Sequence, residues 1–245
     1  MLRESIIGIV ALSLFILSVS AVAANDKRLT LGLIGDSTVA STYGWGPALT
    51  NRFNDRVTVL NYAKNGATLE SLSKKLDELI KHKPDYILVQ FGHNDMKAYD
   101  AKTYSAKLKD YVERIKRGGC KPIVLSSVTR RTFDEHGKIV SIVMHGDRSL
   151  PAFALSAKAV AKEEAVPFID LNTLSIEHHN KLGPEASAAY NFNKTDTTHF
   201  SAKGAEGTAE LVLKELKAVI PELKAYVNDS QQTPPGDVPK ATPEK

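Results

Sequence analysis

The sequence predicts an α/β protein, a three-layer α/β/α sandwich around one parallel sheet. Short runs rich in Val, Ile and Leu alternate with longer stretches of helical periodicity, as βαβ units require. The runs are apolar at consecutive positions, which marks strands covered on both faces. Polar clusters follow three of them: Gly35-Asp36-Ser37-Thr38, residues 61–68, and Gly92-His93-Asn94-Asp95. Such strand ends share one edge of a parallel sheet, the edge where open α/β sheets bind ligands.

The first strand is read at Leu29-Thr30-Leu31-Gly32-Leu33-Ile34. Arg56-Val57-Thr58-Val59-Leu60-Asn61, Tyr86-Ile87-Leu88-Val89-Gln90-Phe91 and Ile123-Val124-Leu125-Ser126-Ser127-Val128 follow, all three read as central. A shorter fifth falls at Val166-Pro167-Phe168-Ile169-Asp170. Helical patterns cover 71–82, 102–117, 149–165 and 202–220, the last stopped by Pro221. One helix between successive strands implies right-handed crossovers.

The 245 residues suit one domain with a sizeable core plus appendages. Residues 1–23 read as a signal peptide: Arg3 supplies a positive start, 6–19 an apolar stretch, and Ala21-Val22-Ala23 a small-x-small cleavage pattern. The alternative is a retained anchor. Cleavage makes the mature protein secreted or periplasmic, with no membrane contact. Residues 24–227 are the expected domain. Residues 228–245, with four prolines and few apolar side chains, read as a disordered tail. The net charge of +4 is mild and its lysines are scattered. That argues against nucleic acid, which needs a basic stripe with interleaved aromatics, and is compatible with an acidic polysaccharide. Cys120 is the only cysteine, so no internal disulfide can form; it reads as a small, partly buried hydrophobe.

The chemistry concentrates in four places. Ser37, at the end of the first strand, is a candidate nucleophile, or alternatively the N-cap of the next helix. His199 is a candidate base and Asp196, three residues earlier, its orienter. That spacing lets the carboxylate curl back to Nδ1–H while Nε2 faces the serine. Asp196 alone would equally suit a helix cap. The Ser37 and Gly66 backbone N–H groups and the Asn94 amide are candidate oxyanion donors. Asn65-Gly66 also suits a tight turn, and Asn94 an Asx-turn.

Ser37, Gly66, Asn94 and His199, with Gly35-Asp36-Ser37 and Asp196-x-x-His199, resemble the four blocks of the SGNH (GDSL) hydrolases over nearly the whole mature chain. The resemblance implies a flavodoxin-like sheet, Ser37 as nucleophile, Gly66 and Asn94 as oxyanion donors, His199 as base and Asp196 as its partner. Within that family the chain is most similar to the rhamnogalacturonan acetylesterases. Thr38, Gly44-Trp45-Gly46, Val89-Gln90-Phe91-Gly92-His93-Asn94-Asp95, Val128-Thr129-Arg130-Arg131 and Asp196-Thr197-Thr198-His199-Phe200 carry that similarity. Asn65-Gly66-Ala67-Thr68 departs from it, lacking the arginine that many relatives place after the glycine.

The implied activity is acetyl removal from rhamnogalacturonan or pectin, without metal or other cofactor, the partner being an acetylated polysaccharide. Trp45, Tyr43, Arg130 and His145 are candidate groove residues. Trp45 suits core packing as well as a sugar platform, and His145 a plain loop as well as a contact. Arg130 and Arg131 either offer a basic surface to galacturonate carboxylates or pin the loop after the fourth strand. The alternatives are an acetylated xylan-type substrate, a lipase or thioesterase, a metallophosphoesterase suggested by Gly35-Asp36 and Gly92-His93-Asn94-Asp95, and a non-catalytic carbohydrate-binding protein. The last would leave Ser37 and His199 unexplained.

Overall fold

The computed structural model describes residues 27–228; the expected signal peptide and nearly all of the expected tail lie outside the described residues. In chain order the elements are β1 (Leu29–Gly35), α1 (Gly46–Thr50), β2 (Val57–Asn61), α2 (Ser73–Lys81), β3 (Tyr86–Gln90), α3 (Asp95–Ala98) and α4 (Ala101–Arg117). There follow β4 (Lys121–Leu125), α5 (Leu150–Glu163), β5 (Phe168–Ile169), α6 (Leu171–Ala188), α7 (Ala202–Val219) and a closing 3-10 segment, Pro221–Tyr226. The strands form one sheet in the order β2-β1-β3-β4-β5, every pair parallel. This is the flavodoxin-like order, whose direction of winding reverses between β1 and β3.

Alternation along β1 divides the core. Leu31 and Leu33 face Val212, Leu213 and Leu216 of α7, whereas Ile34 faces Leu76 and Leu79 of α2 and Val112 and Ile115 of α4. All are buried, so each face gains the full transfer free energy of its aliphatic side chains. Side-chain oxygens cap four of the helices: Asp100 accepts from Thr103 N–H, Ser149 from Ala152, Asp170 from Thr173 and Ser201 from Gly204.

Two expectations need correction. The Arg56–Asn61 strand is an edge strand, pairing only with β1, and its side chains are half-buried or exposed. Its consecutive apolar residues still find cover on both faces, Val57 and Val59 against the cluster that includes α7 and Leu60 against the cluster that includes α2. The fourth strand begins at Lys121 and ends at Leu125, the stretch paired with Tyr86–Gln90 of β3; β5 is only two residues long and reaches no further than Leu125. On α6, His178 is half-buried with Nε2 3.1 Å from Tyr190 Oη, and its neighbour turns inward. His179 is buried with Nδ1 2.9 Å from Ser187 Oγ, and the helix kinks at Gly183-Pro184 to bring that serine back.

Candidate active site

The crevice between the carboxyl ends of β1 and β3 holds the site. Gly35 closes β1 where a Cβ would stand 2.5 Å from Gln90 O, so the chain leaves the sheet flush against β3. Asp36 Oδ1 then accepts the Thr38 N–H at 2.9 Å and the Thr38 hydroxyl at 2.7 Å, turning the backbone so that Ser37 points outward. Behind the turn runs a buried relay: Trp45 Nε1–H donates to Gln90 Oε1 at 3.0 Å, and Gln90 Nε2–H to Thr38 Oγ1 at 2.6 Å.

Ser37 Oγ is 2.9 Å from His199 Nε2, and His199 Nδ1 is 2.7 Å from Asp196 Oδ2. The other Asp196 oxygen accepts the backbone N–H groups of Thr198 (3.0 Å) and His199 (2.9 Å). Burial alone would raise the Asp196 pKa. The His199 backbone and ring bonds and the Thr198 N–H reverse this and hold it below the usual carboxylate range. An anionic carboxylate against Nδ1–H leaves Nε2 as the acceptor facing the hydroxyl, the arrangement a serine needs to lose its proton.

Gly66 sits at φ +73° with nothing within 4 Å of a would-be Cβ, so a side chain there would be strained and would enter open space. Asn94 donates one amide N–H to Ala67 O at 3.1 Å, which ties the β3 end to the Gly66 turn. Its second amide hydrogen remains available for another acceptor. Beneath lie two buried ionisable groups. Burial pulls His93 down to about 4 and pushes Asp95, which accepts Leu69 N–H at 2.9 Å, up to about 7.

The groove candidates divide. Trp45 is 0 % exposed and hydrogen-bonded to Gln90, so it is core and presents no platform to a sugar. Arg131 is likewise no surface group: it is buried, Nε donating to Asn191 Oδ1 at 2.6 Å and a terminal NH2 to His199 O at 2.5 Å. Arg130 is half-buried among Met96, Thr129, Ile142 and Leu150; burial lowers its pKa, and the Asp196 charge partly offsets this. His145 is exposed in the loop between β4 and α5. Tyr43 stacks tilted against His199 at 5.2 Å and edge-on to the exposed Phe192 at 4.8 Å.

Sequence reasoning passed over Gln90, Asn191 and Phe192. Gln90 had a signal, a polar side chain ending an otherwise apolar strand. Asn191 and Phe192 had none, because they take part only through the fold. Among the described residues no group of three or more His, Cys, Asp or Glu gathers as metal ligands would.

A doubly covered parallel sheet with a hydroxyl, an imidazole and a carboxylate in hydrogen-bonded sequence at its switch point is the architecture of an ester hydrolase. Residues 33–206 match the GDSL-like Lipase/Acylhydrolase family, and the chain belongs to that family of SGNH hydrolases. It is 34% identical to rhamnogalacturonan acetylesterase RhgT of Bacillus subtilis, over 82% of this chain and 95% of that protein. It is 29% identical to the probable rhamnogalacturonan acetylesterase YesY of the same organism, over 76% and 91%. Among solved structures, Bacillus subtilis protein YxiM superposes with a TM-score of 0.65 at 27% identity, covering 78% of this chain but 56% of that one. The acetylxylan esterase Axe2 of Geobacillus stearothermophilus, at 21% identity, TM-score 0.58 and coverage of 78% and 96%, shares the fold.

Proposed function

We propose that this protein is an exported serine esterase that removes acetyl groups from a polysaccharide, rhamnogalacturonan foremost, through an acyl-enzyme on Ser37. The observation that carries the reading is the hydrogen-bonded chain Ser37–His199–Asp196. The relatives named rhamnogalacturonan acetylesterase support the substrate. Residues 1–23 act as the signal peptide, 24–227 as the hydrolase domain and 228–245 as a tail, on the compositional grounds above.

Ser37 Oγ attacks the acetyl carbonyl carbon while its proton passes to His199 Nε2, and Asp196 steadies the imidazolium. The developing oxyanion is received by the Ser37 and Gly66 N–H groups and the free Asn94 amide hydrogen. Collapse breaks the ester C–O bond, His199 protonates the departing sugar oxygen to a hydroxyl, and the acetyl group stays on Ser37 as an ester. A water molecule, deprotonated by His199, repeats the sequence and frees the serine. Arg130, half-buried and within electrostatic reach of Asp196, is the proposed partner for a substrate carboxylate.

Acetate release from acetylated pectins, xylans and synthetic esters tests the substrate. The expected order places acetylated rhamnogalacturonan first. A preference for acetylated xylan or for long acyl chains replaces the pectin assignment, and no acetate from any ester overturns the reading. Arg130→Ala should raise KM on acetylated pectin more than on nitrophenyl acetate. Equal losses on both would make Arg130 a loop contact.

A further inference from the structure

Arg131 is 3 % exposed, yet among the described residues no carboxylate stands within ion-pair distance of its guanidinium. A cation taken out of water is costly unless its donors are met, and an apolar residue of similar volume often serves stability as well. What Arg131 meets is specific. Its Nε and NH2 donors go to Asn191 Oδ1 and His199 O, its backbone N–H to Thr197 O at 3.0 Å, and its guanidinium lies 4.8 Å over the Phe200 ring. Each of these partners lies in the segment that carries His199 or directly adjoins it.

That segment, residues 192–199, belongs to no strand or helix; a single antiparallel bridge, Asn191 to Phe200, closes its ends. The His199 carbonyl is fixed by two donors, Arg131 NH2 on one side and Phe192 N–H at 3.0 Å on the other. Arg131 itself follows β4 by six residues, so its fork references the loop to the sheet that carries Ser37.

We infer that Arg131 is the positioning residue of this site: its fork sets the main chain of Thr197 to Phe200 so that His199 Nε2 stands at Ser37 Oγ, without touching substrate. The inference rests on the proposed role of His199 as base.

The test compares Arg131→Ala, Arg131→Lys, Asn191→Ala and His199→Ala in the full chain. The readouts are nitrophenyl acetate turnover per serine titrated with a fluorophosphonate, and thermal melting. Arg131→Ala should lower kcat by about 10²-fold, as expected for a misplaced catalytic group, with KM changed by less than about twofold. Arg131→Lys should fall between, and added guanidinium ion should restore part of the Arg131→Ala kcat but none of that lost in His199→Ala. A folded Arg131→Ala with wild-type kcat per titrated site overturns the inference, as does a loss that appears in KM and ignores guanidinium. Should Arg131→Ala not fold, Arg131→Lys and Asn191→Ala decide: reduced kcat in both supports positioning, and wild-type kcat in both overturns it. Activity retained by His199→Ala would instead overturn the proposed base.

Discussion

Asp36, Ser37 and Thr38 stand at the end of a strand hydrogen-bonded on both sides, whereas Asp196 and His199 stand on an irregular segment between α6 and α7. The first trio is 0 to 4 % exposed and backed by the Trp45–Gln90–Thr38 relay. The second is half-buried and held by side-chain clamps, Asn193 accepting Asp196 N–H and Arg131 gripping the His199 carbonyl. Strand-end geometry comes with the sheet and the relay behind it, so a broken supporting bond there will appear as lost stability, whereas the Ser37 hydroxyl itself bonds only to His199. Loop geometry comes from individual tethers, so damage there leaves the core intact and will appear as lost turnover.

Substitutions at the reacting atoms should give the largest effects and set the scale for both sides. Ser37→Ala should lower kcat by about 10⁴-fold or more with the melting temperature unchanged. Asp196→Asn should also fold and lose about 10³-fold or more, because the imidazole loses its orienting anion. Ester hydrolysis alongside thermal melting checks both. A tenth of wild-type activity in Ser37→Ala would remove the serine from the chemistry, and the comparison with it.

A smaller effect distinguishes the two sides. Trp45→Phe keeps the apolar bulk but leaves Gln90 Oε1 buried without its donor, at a cost of about 1–3 kcal/mol in stability. Equilibrium denaturation should show that loss, while kcat falls far less than in the His199-loop variants. A stable Trp45→Phe with crippled turnover would invert the comparison.

A last effect concerns pH and belongs to the buried side alone. His93, lowered from 6.5 to about 4, leaves the folded chain with fewer bound protons than the unfolded chain in that window. Its contribution to stability is therefore lost as pH falls from 6.5 toward 4. Asp95, raised from 3.8 to about 7, does the opposite: its contribution is present below 3.8 and lost as pH rises toward 7. The two oppose each other across about pH 4–6.5. Asp95→Asn should leave His93 alone, so its stability should fall on acidification by about 1.4 kcal/mol per pH unit more than wild type's. Denaturation at pH 4.5 and 6.5 reads this, and parallel pH profiles for the two proteins would refute it.

The sheet, its polar edge and the Ser37–Asp196–His199 spacing were legible in the chain itself. Short apolar runs set between longer helical patterns read as strands covered on both faces, and a carboxylate three residues before a histidine is within local reach of Nδ1. Strand rank was not legible, because an edge strand whose side chains pack against both core clusters reads like a central one, as 56–61 shows. The fates of Trp45, Arg130 and Arg131 were decided by tertiary structure alone. Adjacent arginines of identical chemistry diverge, Arg130 half-buried and Arg131 fully buried, because Asn191 and the His199 carbonyl, both distant in sequence, take the second guanidinium inward. An aromatic after glycine suits core or surface equally, and only Gln90, 45 residues away, draws the Trp45 indole N–H inward. Local spacing thus determined which groups could react, and long-range packing decided which groups hold them in place.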